Sequence, residues 1–369
     1  MRSENEDQGM KKILFRSDGS PVIGVGHLVR CSTLAMELHA RGCEVHLAVH
    51  GSAESARWPL TLFPGQVHEL QNSEIQTEDQ GDPVAHADWL LGSQADDARK
   101  TLDLINIQLQ GSVDWIVVDH YALDSRWHRQ VGAGDRHVMA IDDLADREFE
   151  VQLLLDQNRE EKSGLQAYRA LAGEACRLLM GPDWALVRRC FRESRRPFKA
   201  IGNRPRLLLM SGGTNSLMIT KCLDAIANME QELEIDIIVG SPDSGMDLSG
   251  HEAANRHRIR IHSAVSDPAS IMSQADLAVS AAGSTVWELA CLGVPSLLVR
   301  IADNQIPVLK QAVDSGAACS LELDDEAATR QTLENLLADA DRLAEMTDAG
   351  HGLVDGLGTS RIADLMLKS

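Results

Sequence analysis

The sequence has no apolar run approaching the ~20 residues that a membrane-spanning helix needs. Its opening stretch, MRSENEDQGM, also lacks the apolar core of a secretory leader. Together these absences predict a cytoplasmic protein. CxxC pairs are missing as well. The seven cysteines, at 31, 43, 176, 190, 222, 291 and 319, are scattered, and an odd number cannot pair fully within one chain. They read as small core residues in a reducing compartment. Although His120, His128 and His137 lie close in sequence, no HExxH or related His/Cys spacing occurs, so neither a metal site nor a metal cofactor is expected. Positive charge is scarce too, at 35 Lys and Arg against 55 Asp and Glu, for a net charge of -20. That balance excludes nucleic acid and anionic membrane as partners, since both require a basic footprint. The basic strip Arg256 to His262 is expected to be a strand with Ile259 and Ile261 pointing inward.

What is present is ordinary globular composition, 44% hydrophobic and 24% charged, in a chain of 369 residues, long enough for two domains. The most informative stretch is KILFRSDGSPVIGVGHLVR, Lys12 to Arg30. Ile13 to Phe15 read as a buried strand, a glycine-bearing loop follows, and Leu28 opens an apolar pattern at helical spacing. In an open α/β sheet such a corner lies beyond the strand's carboxyl end, where the next helix offers unpaired N–H groups to an anion. Gly24 and Gly26 let the backbone come close to a ligand, and His27 stands at the helix mouth. The third glycine of a dinucleotide fingerprint would fall at Val29 and is missing, so NAD is not expected.

The pattern of apolar strand followed by polar tip then recurs. Glu44 to Val49 is a second strand, Trp115 to Val118 ends in Asp119, His120 and Tyr121, Val138 to Ile141 ends in Asp142 and Asp143, and Leu153 to Leu155 runs into Asp156. Such repetition is the trace of a parallel sheet with one functional edge. Between Glu44–Val49 and Trp115, the Gly- and Pro-rich region 51–95, with Trp58, Phe63 and Trp89, reads only as loops and short elements. The basic stretch Arg188 to Pro205 reads as a linker, after which Arg206 to Met210, Ile235 to Val239, Leu277 to Val279, Ser296 to Val299 and Ala318 to Leu321 repeat the plan. The expected fold is α/β, two Rossmann-like doubly wound domains with an interdomain cleft, spanning residues 1–196 and 205–369. In the second half, AAGSTVWELACLGVPSLLVRIADNQ places Gly283 after a strand, Ser284 or Thr285 as helix caps, and Glu288 one turn in. Hydroxyls and N–H groups at a helix mouth suit a diphosphate, and a carboxylate one turn later suits a ribose diol.

Taken together, RSDGSPVIGVGHLVRC, VVDHYALDSRW, IDDLADREF with LLLDQN, MGPDWALVRRCF, LLLMSGGTN and the 281–305 stretch resemble the UDP-sugar hydrolases of pseudaminic acid biosynthesis. Those enzymes release UDP from UDP-2,4-diacetamido-2,4,6-trideoxy-β-L-altropyranose and share the two-domain GT-B fold of nucleotide-sugar glycosyltransferases. The resemblance implies that His27 is the base, that Gly26, Gly212, Gly213, Ser284, Thr285 and Glu288 hold UDP, and that Tyr121, Asn304 and Gln305 face the sugar. It departs from the family at Asn215, where an acidic residue is expected, and it places the last helix, Ser360 to Lys368, near the first domain.

UDP is a good leaving group, so water attack at the anomeric carbon with inversion needs only a base and dipoles for the departing diphosphate. A histidine, titrating near ~6.5 in water, suits the first task, with His120 and Asp119 next in line. No DxD-type carboxylate pair adjoins the phosphate loop, so metal-independent turnover without a cofactor is expected; the oligomeric state, a monomer among the options, stays open. The alternatives are a UDP-sugar-dependent GT-B glycosyltransferase, with the same fold and UDP elements but another acceptor, and a non-catalytic nucleotide-sugar binding protein, which would have no need of His27.

Overall fold

The structure is a computed structural model that describes residues 10–20, 22–50, 60–70, 84–211, 216–240 and 251–368. Gly212, Gly213 and Asn215 lie outside the described residues. The chain packs as two compact units. The first comprises residues 1–156, 161–180 and 359–369, and the second residues 157–160 and 181–358.

The first unit is built on a parallel sheet of seven strands, in the order β3-β2-β1-β4-β5-β6-β7. Its strands are β1 (Lys12–Ser17), β2 (Glu44–Val49), β3 (Gln66–Glu69), β4 (Trp115–Asp119), β5 (His137–Ile141), β6 (Leu153–Asp156) and β7 (Arg177–Met180). In β1, Ile13, Leu14 and Phe15 are all fully buried, because a parallel sheet covered on both faces accepts an unbroken apolar run. Ile13 pairs with Val45 on one side and Trp115 on the other. The order of the strands reverses between β1 and β4, and the loops after these two strands diverge to leave a crevice at their carboxyl ends. The helix Gly26–Ala40 follows β1 and stops where Gly42 adopts a φ of +88°, its N–H donating to His39 O while Cys43 N donates to Leu38 O. Strands β3 and β7 were not expected. The first is short, polar and at an edge, and falls in the region where periodicity is weakest.

The second unit repeats the plan with six strands ordered β10-β9-β8-β11-β12-β13: β8 (Arg206–Met210), β9 (Glu234–Val239), β10 (Arg258–Ser263), β11 (Leu277–Ala281), β12 (Ser296–Val299) and β13 (Ala318–Ser320). Leu207, Leu208 and Leu209 are buried on both faces, each contributing roughly 1.5–3 kcal/mol by leaving water. The reversal falls between β8 and β11, which places the β11 loop at Gly283 on the carboxyl edge. These are two Rossmann-like α/β domains, as expected.

Three expectations are corrected. Ile261 is not buried as expected but 42% exposed, because β10 is an edge strand paired, among the described residues, with β9 alone. The polar residues of β10 are used instead, with Arg260 and His262 both bonding to Asp236. The stretch read as a linker is partly helical, over Arg189–Glu193, with Phe191 fully buried in the second unit. Its basic character has a use there: Arg195 donates to Asp355 O and His351 O at the end of the helix Ala340–Leu353, where unpaired carbonyls attract a cation. The expected limits of 1–196 and 205–369 shift accordingly. The terminal helix Gly358–Lys368 is largely part of the first unit, where Met366 O accepts from Trp115 Nε1 at 3.0 Å.

Candidate functional site

In the first unit the chemistry gathers at the point of strand reversal. The loop after β1 is drawn tight by Gly24, whose N–H donates to Ser20 O at 2.7 Å and whose φ of +79° is one that L side chains rarely adopt. This loop delivers His27 into the first turn of its helix, 7% exposed, and delivers Arg30 one turn later onto the same face. Asp119, the last residue of β4, meets both. His27 Nδ1 lies 2.6 Å from Asp119 Oδ1. Arg30 donates from Nη2 to Oδ1 at 2.7 Å and from Nε to Oδ2. Burial alone would push the Asp119 carboxyl up, but Arg30 and His27 outweigh it and hold the group well below the usual carboxylate range.

An ionised Asp119 accepts from His27 Nδ1–H, which leaves the lone pair on Nε2. That atom makes no hydrogen bond among the described residues. The arrangement fixes the tautomer in which the outward nitrogen can take a proton. Asp119, read from sequence as a fallback base, is the group that orients the His27 imidazole. Arg30 is tied in turn to Asp143 at 3.3 Å, and Asp143 accepts from the Tyr121 hydroxyl. Burial raises the Tyr121 hydroxyl well above its ordinary value and the neighbouring Asp143 adds to this, so Tyr121 remains a phenol that spends its proton internally. Its ring is the part that faces His27, edge-on with centroids 4.6 Å apart.

A second buried network stands beside the first. Arg16 is fully buried in β1, donating to Asp18 at 2.7 and 2.8 Å and to Asp97 at 2.6 Å, and Asp97 also accepts from Trp127 Nε1. His120 Nε2 lies 3.2 Å from Asp18 Oδ2, and burial lowers its pKa despite that carboxylate. These pairs hold the ends of β1 and β4 in place. His120, the other fallback base, is buried beside them, its Nδ1 accepting from Ala122 N at 3.2 Å.

In the second unit, Ser284, Thr285 and Glu288 lie on one helix, Thr285–Leu292, directly after β11. Ser284 occupies the cap position, yet its hydroxyl makes no capping bond, contrary to expectation, because its backbone is helical rather than extended. Among the described residues the hydroxyl has no capping partner, and Ser284 lies exposed at the helix mouth. A Cβ on Gly283 would meet nothing within 4 Å, so this loop faces open space. Glu288 is paired with Arg188 Nη2 at 3.5 Å; burial raises the carboxyl and Arg188 opposes the rise. Arg188 went unrecognised in the sequence because it sits in what read as the linker. Asn304 and Gln305 form a single turn, Asp303–Gln305, after β12, the neighbour of β11. Asn304 is exposed, whereas Gln305 Oε1 already accepts from Ile301 N at 2.9 Å. Among the described residues no group of three or more His, Cys, Asp or Glu is arranged to hold a metal, and no helix is long and apolar enough to cross a membrane. Of the expected site residues, His27, Gly26 and Tyr121 come together in the first unit, and Ser284, Thr285 and Glu288 in the second.

Residues 207–359 match the Glycosyltransferase family 28 C-terminal domain. The chain is 26% identical over 203 residues to the spore coat polysaccharide biosynthesis protein SpsG of Bacillus subtilis, covering 52% of this chain and 58% of that protein. It is 30% identical over 173 residues to the UDP-N-acetylglucosamine--N-acetylmuramyl-(pentapeptide) pyrophosphoryl-undecaprenol N-acetylglucosamine transferase of an Exiguobacterium species, covering 45% and 48%. The chain therefore spans about half the length of these relatives. Among solved structures, MurG of Acinetobacter baumannii superposes with a TM-score of 0.63 at 18% identity, over 97% of this chain and 100% of that one. The UDP complex of Staphylococcus aureus MnaA gives 0.60 at 11% identity, over 96% and 95%. At such identities these two establish the fold, which is GT-B. None of the four proteins named here carries the hydrolase name that the sequence resembles.

Proposed function

We propose that the protein is a UDP-sugar-dependent glycosyl-transferring enzyme in which His27 Nε2 deprotonates the attacking hydroxyl. The observation that carries this reading is the Asp119–His27 pair at 2.6 Å, with Arg30 keeping Asp119 ionised and Nε2 unbonded among the described residues. A nucleotide-binding protein without chemistry has no use for an imidazole held in one tautomer at a strand-reversal point. The hydroxyl oxygen forms a new bond to the anomeric carbon as the bond to the UDP oxygen breaks. The hydroxyl proton passes to Nε2, the bonding pair leaves with UDP, and attack opposite the leaving group inverts the centre. UDP contacts are assigned to Ser284, Thr285 and Glu288, which lie inside the segment matching family 28, with Gly26, Gly212 and Gly213 as further contacts and Asn304, Gln305 and Tyr121 toward the sugar. N–H groups at the helix mouth stabilise charge growing on the diphosphate, which a chain of net charge -20 must supply locally.

The relatives favour an organic hydroxyl as acceptor. Water as acceptor is the second reading, and it is favoured by the motifs shared with UDP-sugar hydrolases and by the crowding of His27, which is only 7% exposed. Incubation with a panel of UDP-sugars in metal-free buffer, followed by proton NMR, separates the two. Free sugar appearing in step with UDP identifies water, and UDP release only on adding a hydroxyl acceptor identifies transfer. Absence of UDP release under every condition would refute both.

A further inference from the structure

Rings crowd His27, and the chemistry above gives two of them, Trp89 and His86, no role. Trp89 sits on the short turn Ala87–Trp89, edge-on to His27 at 6.0 Å, tilted against Tyr121 at 5.4 Å and against His86 at 4.6 Å. The turn is anchored: Trp89 N donates to His86 O at 3.0 Å, Leu90 N donates to Ala87 O at 3.1 Å, and Leu90 is buried in the core. The indole is partly buried, packed against the core of the first unit, and this turn sets it beside His27.

A contrast within the chain sets Trp89 apart from the fully buried tryptophans. The three fully buried tryptophans each spend their indole N–H: Trp115 on Met366 O at 3.0 Å, Trp127 on Asp97 at 2.8 Å and Trp287 on Asn158 at 3.0 Å. Trp89 is only partly buried, and its N–H donates to nothing among the described residues. An aromatic face next to a catalytic nitrogen, with one unused donor on its edge, matches a pyranose, whose C–H face stacks on an aromatic ring while a ring hydroxyl accepts from the donor.

We propose that Trp89, backed by His86 and Tyr121, is the specificity-determining wall against which the transferred glycosyl ring stacks while His27 acts. This rests on the UDP-sugar reading and adds that the sugar, not the nucleoside, occupies the indole. The test uses the full-length protein labelled with ¹⁵N. The Trp89 indole resonance is identified by its absence in Trp89→Phe and followed during titration with UDP, then with UDP-glucose, UDP-galactose and UDP-N-acetylglucosamine. The resonance should move with a UDP-sugar and stay in place with UDP alone. Trp89→Ala should raise KM for the best donor by about 10-fold with UDP affinity unchanged, and Trp89→Phe should recover part of the loss. If Trp89→Ala fails to fold, the titration of the wild type still decides the matter. Movement with UDP alone would mean that the base stacks there, and a UDP-sugar that binds without moving the resonance would leave Trp89 a packing residue; either overturns the proposal alone. Failure to bind UDP and every UDP-sugar overturns the parent reading and this one with it.

Discussion

Replacing Asp119 by asparagine preserves shape and removes charge, which makes it the most informative perturbation of the site. Asp119 takes His27 and Arg30 Nη2 on Oδ1 and Arg30 Nε on Oδ2. An amide nitrogen in either position opposes an Arg30 donor, and at Oδ1 it also donates to His27 Nδ1, moving the ring proton to Nε2 and disabling the base. Loss of one partner from a buried ion pair costs about 3–5 kcal/mol. Arg30 keeps Asp143 at 3.3 Å, and the amide oxygen keeps two bonds in the Oδ1 position or one in the Oδ2 position. A loss of about 2–4 kcal/mol of unfolding free energy is therefore expected at neutral pH. Turnover should fall by roughly 10² to 10⁴, the share of a positioned base. The two effects are read separately, by urea unfolding and by UDP release from a donor, with calorimetric UDP affinity as the control. The pH dependence adds a signed check. Because the folded carboxyl lies below its unfolded value of about 3.9, its stabilisation is complete above that pH and is lost as pH falls through the folded value. The variant should therefore lose less stability than wild type in that acid range. Near wild-type turnover in a folded Asp119→Asn protein would refute the orienting role.

Glu288→Ala should weaken UDP binding by about 1–3 kcal/mol in calorimetry, the scale of a lost charged hydrogen bond, and unchanged affinity would remove Glu288 from the site. The two loop glycines should behave oppositely. Gly24→Ala forces a side chain to φ +79° and should cost about 1–2 kcal/mol of stability in thermal unfolding. Gly26→Ala meets no neighbour within 4 Å and should leave the melting temperature unchanged while slowing turnover if a ligand approaches there. His128 is held at about 3 by burial, with Arg147 adding to the effect. Its neutral form is thus favoured on folding, so its contribution is complete above the unfolded value near ~6.5 and is lost as pH falls toward 3. His128→Gln should flatten that limb of the stability profile measured in urea, and an unchanged slope would contradict the assignment.

The readable parts of the sequence were those where one physical requirement dominates. Apolar runs such as Leu207 to Leu209 can only be buried strands, and polar tips such as Asp119 and Asp142 mark the functional edge of a parallel sheet. His27 is visible because Gly24 and Gly26 directly precede it at a helix start. What stayed hidden depended on distant pairing: Arg30 looks like any helix residue until β4 brings Asp119 beside it, and Trp89 sits in a region with no periodicity. The basic stretch at 188–205 misled because charge suggested exposure, whereas Arg195 is used on helix-end carbonyls and Phe191 supplies the apolar anchor.

The central claim is that His27 supplies the base and makes little of the ground-state nucleotide binding. The direct measurement is the turnover of His27→Asn on the best UDP-sugar donor, alongside its UDP affinity. Turnover should fall by roughly 10² to 10⁴ while the dissociation constant of UDP changes by less than about tenfold. A folded His27→Asn protein that releases UDP at the wild-type rate, or one that loses UDP binding altogether, would contradict it.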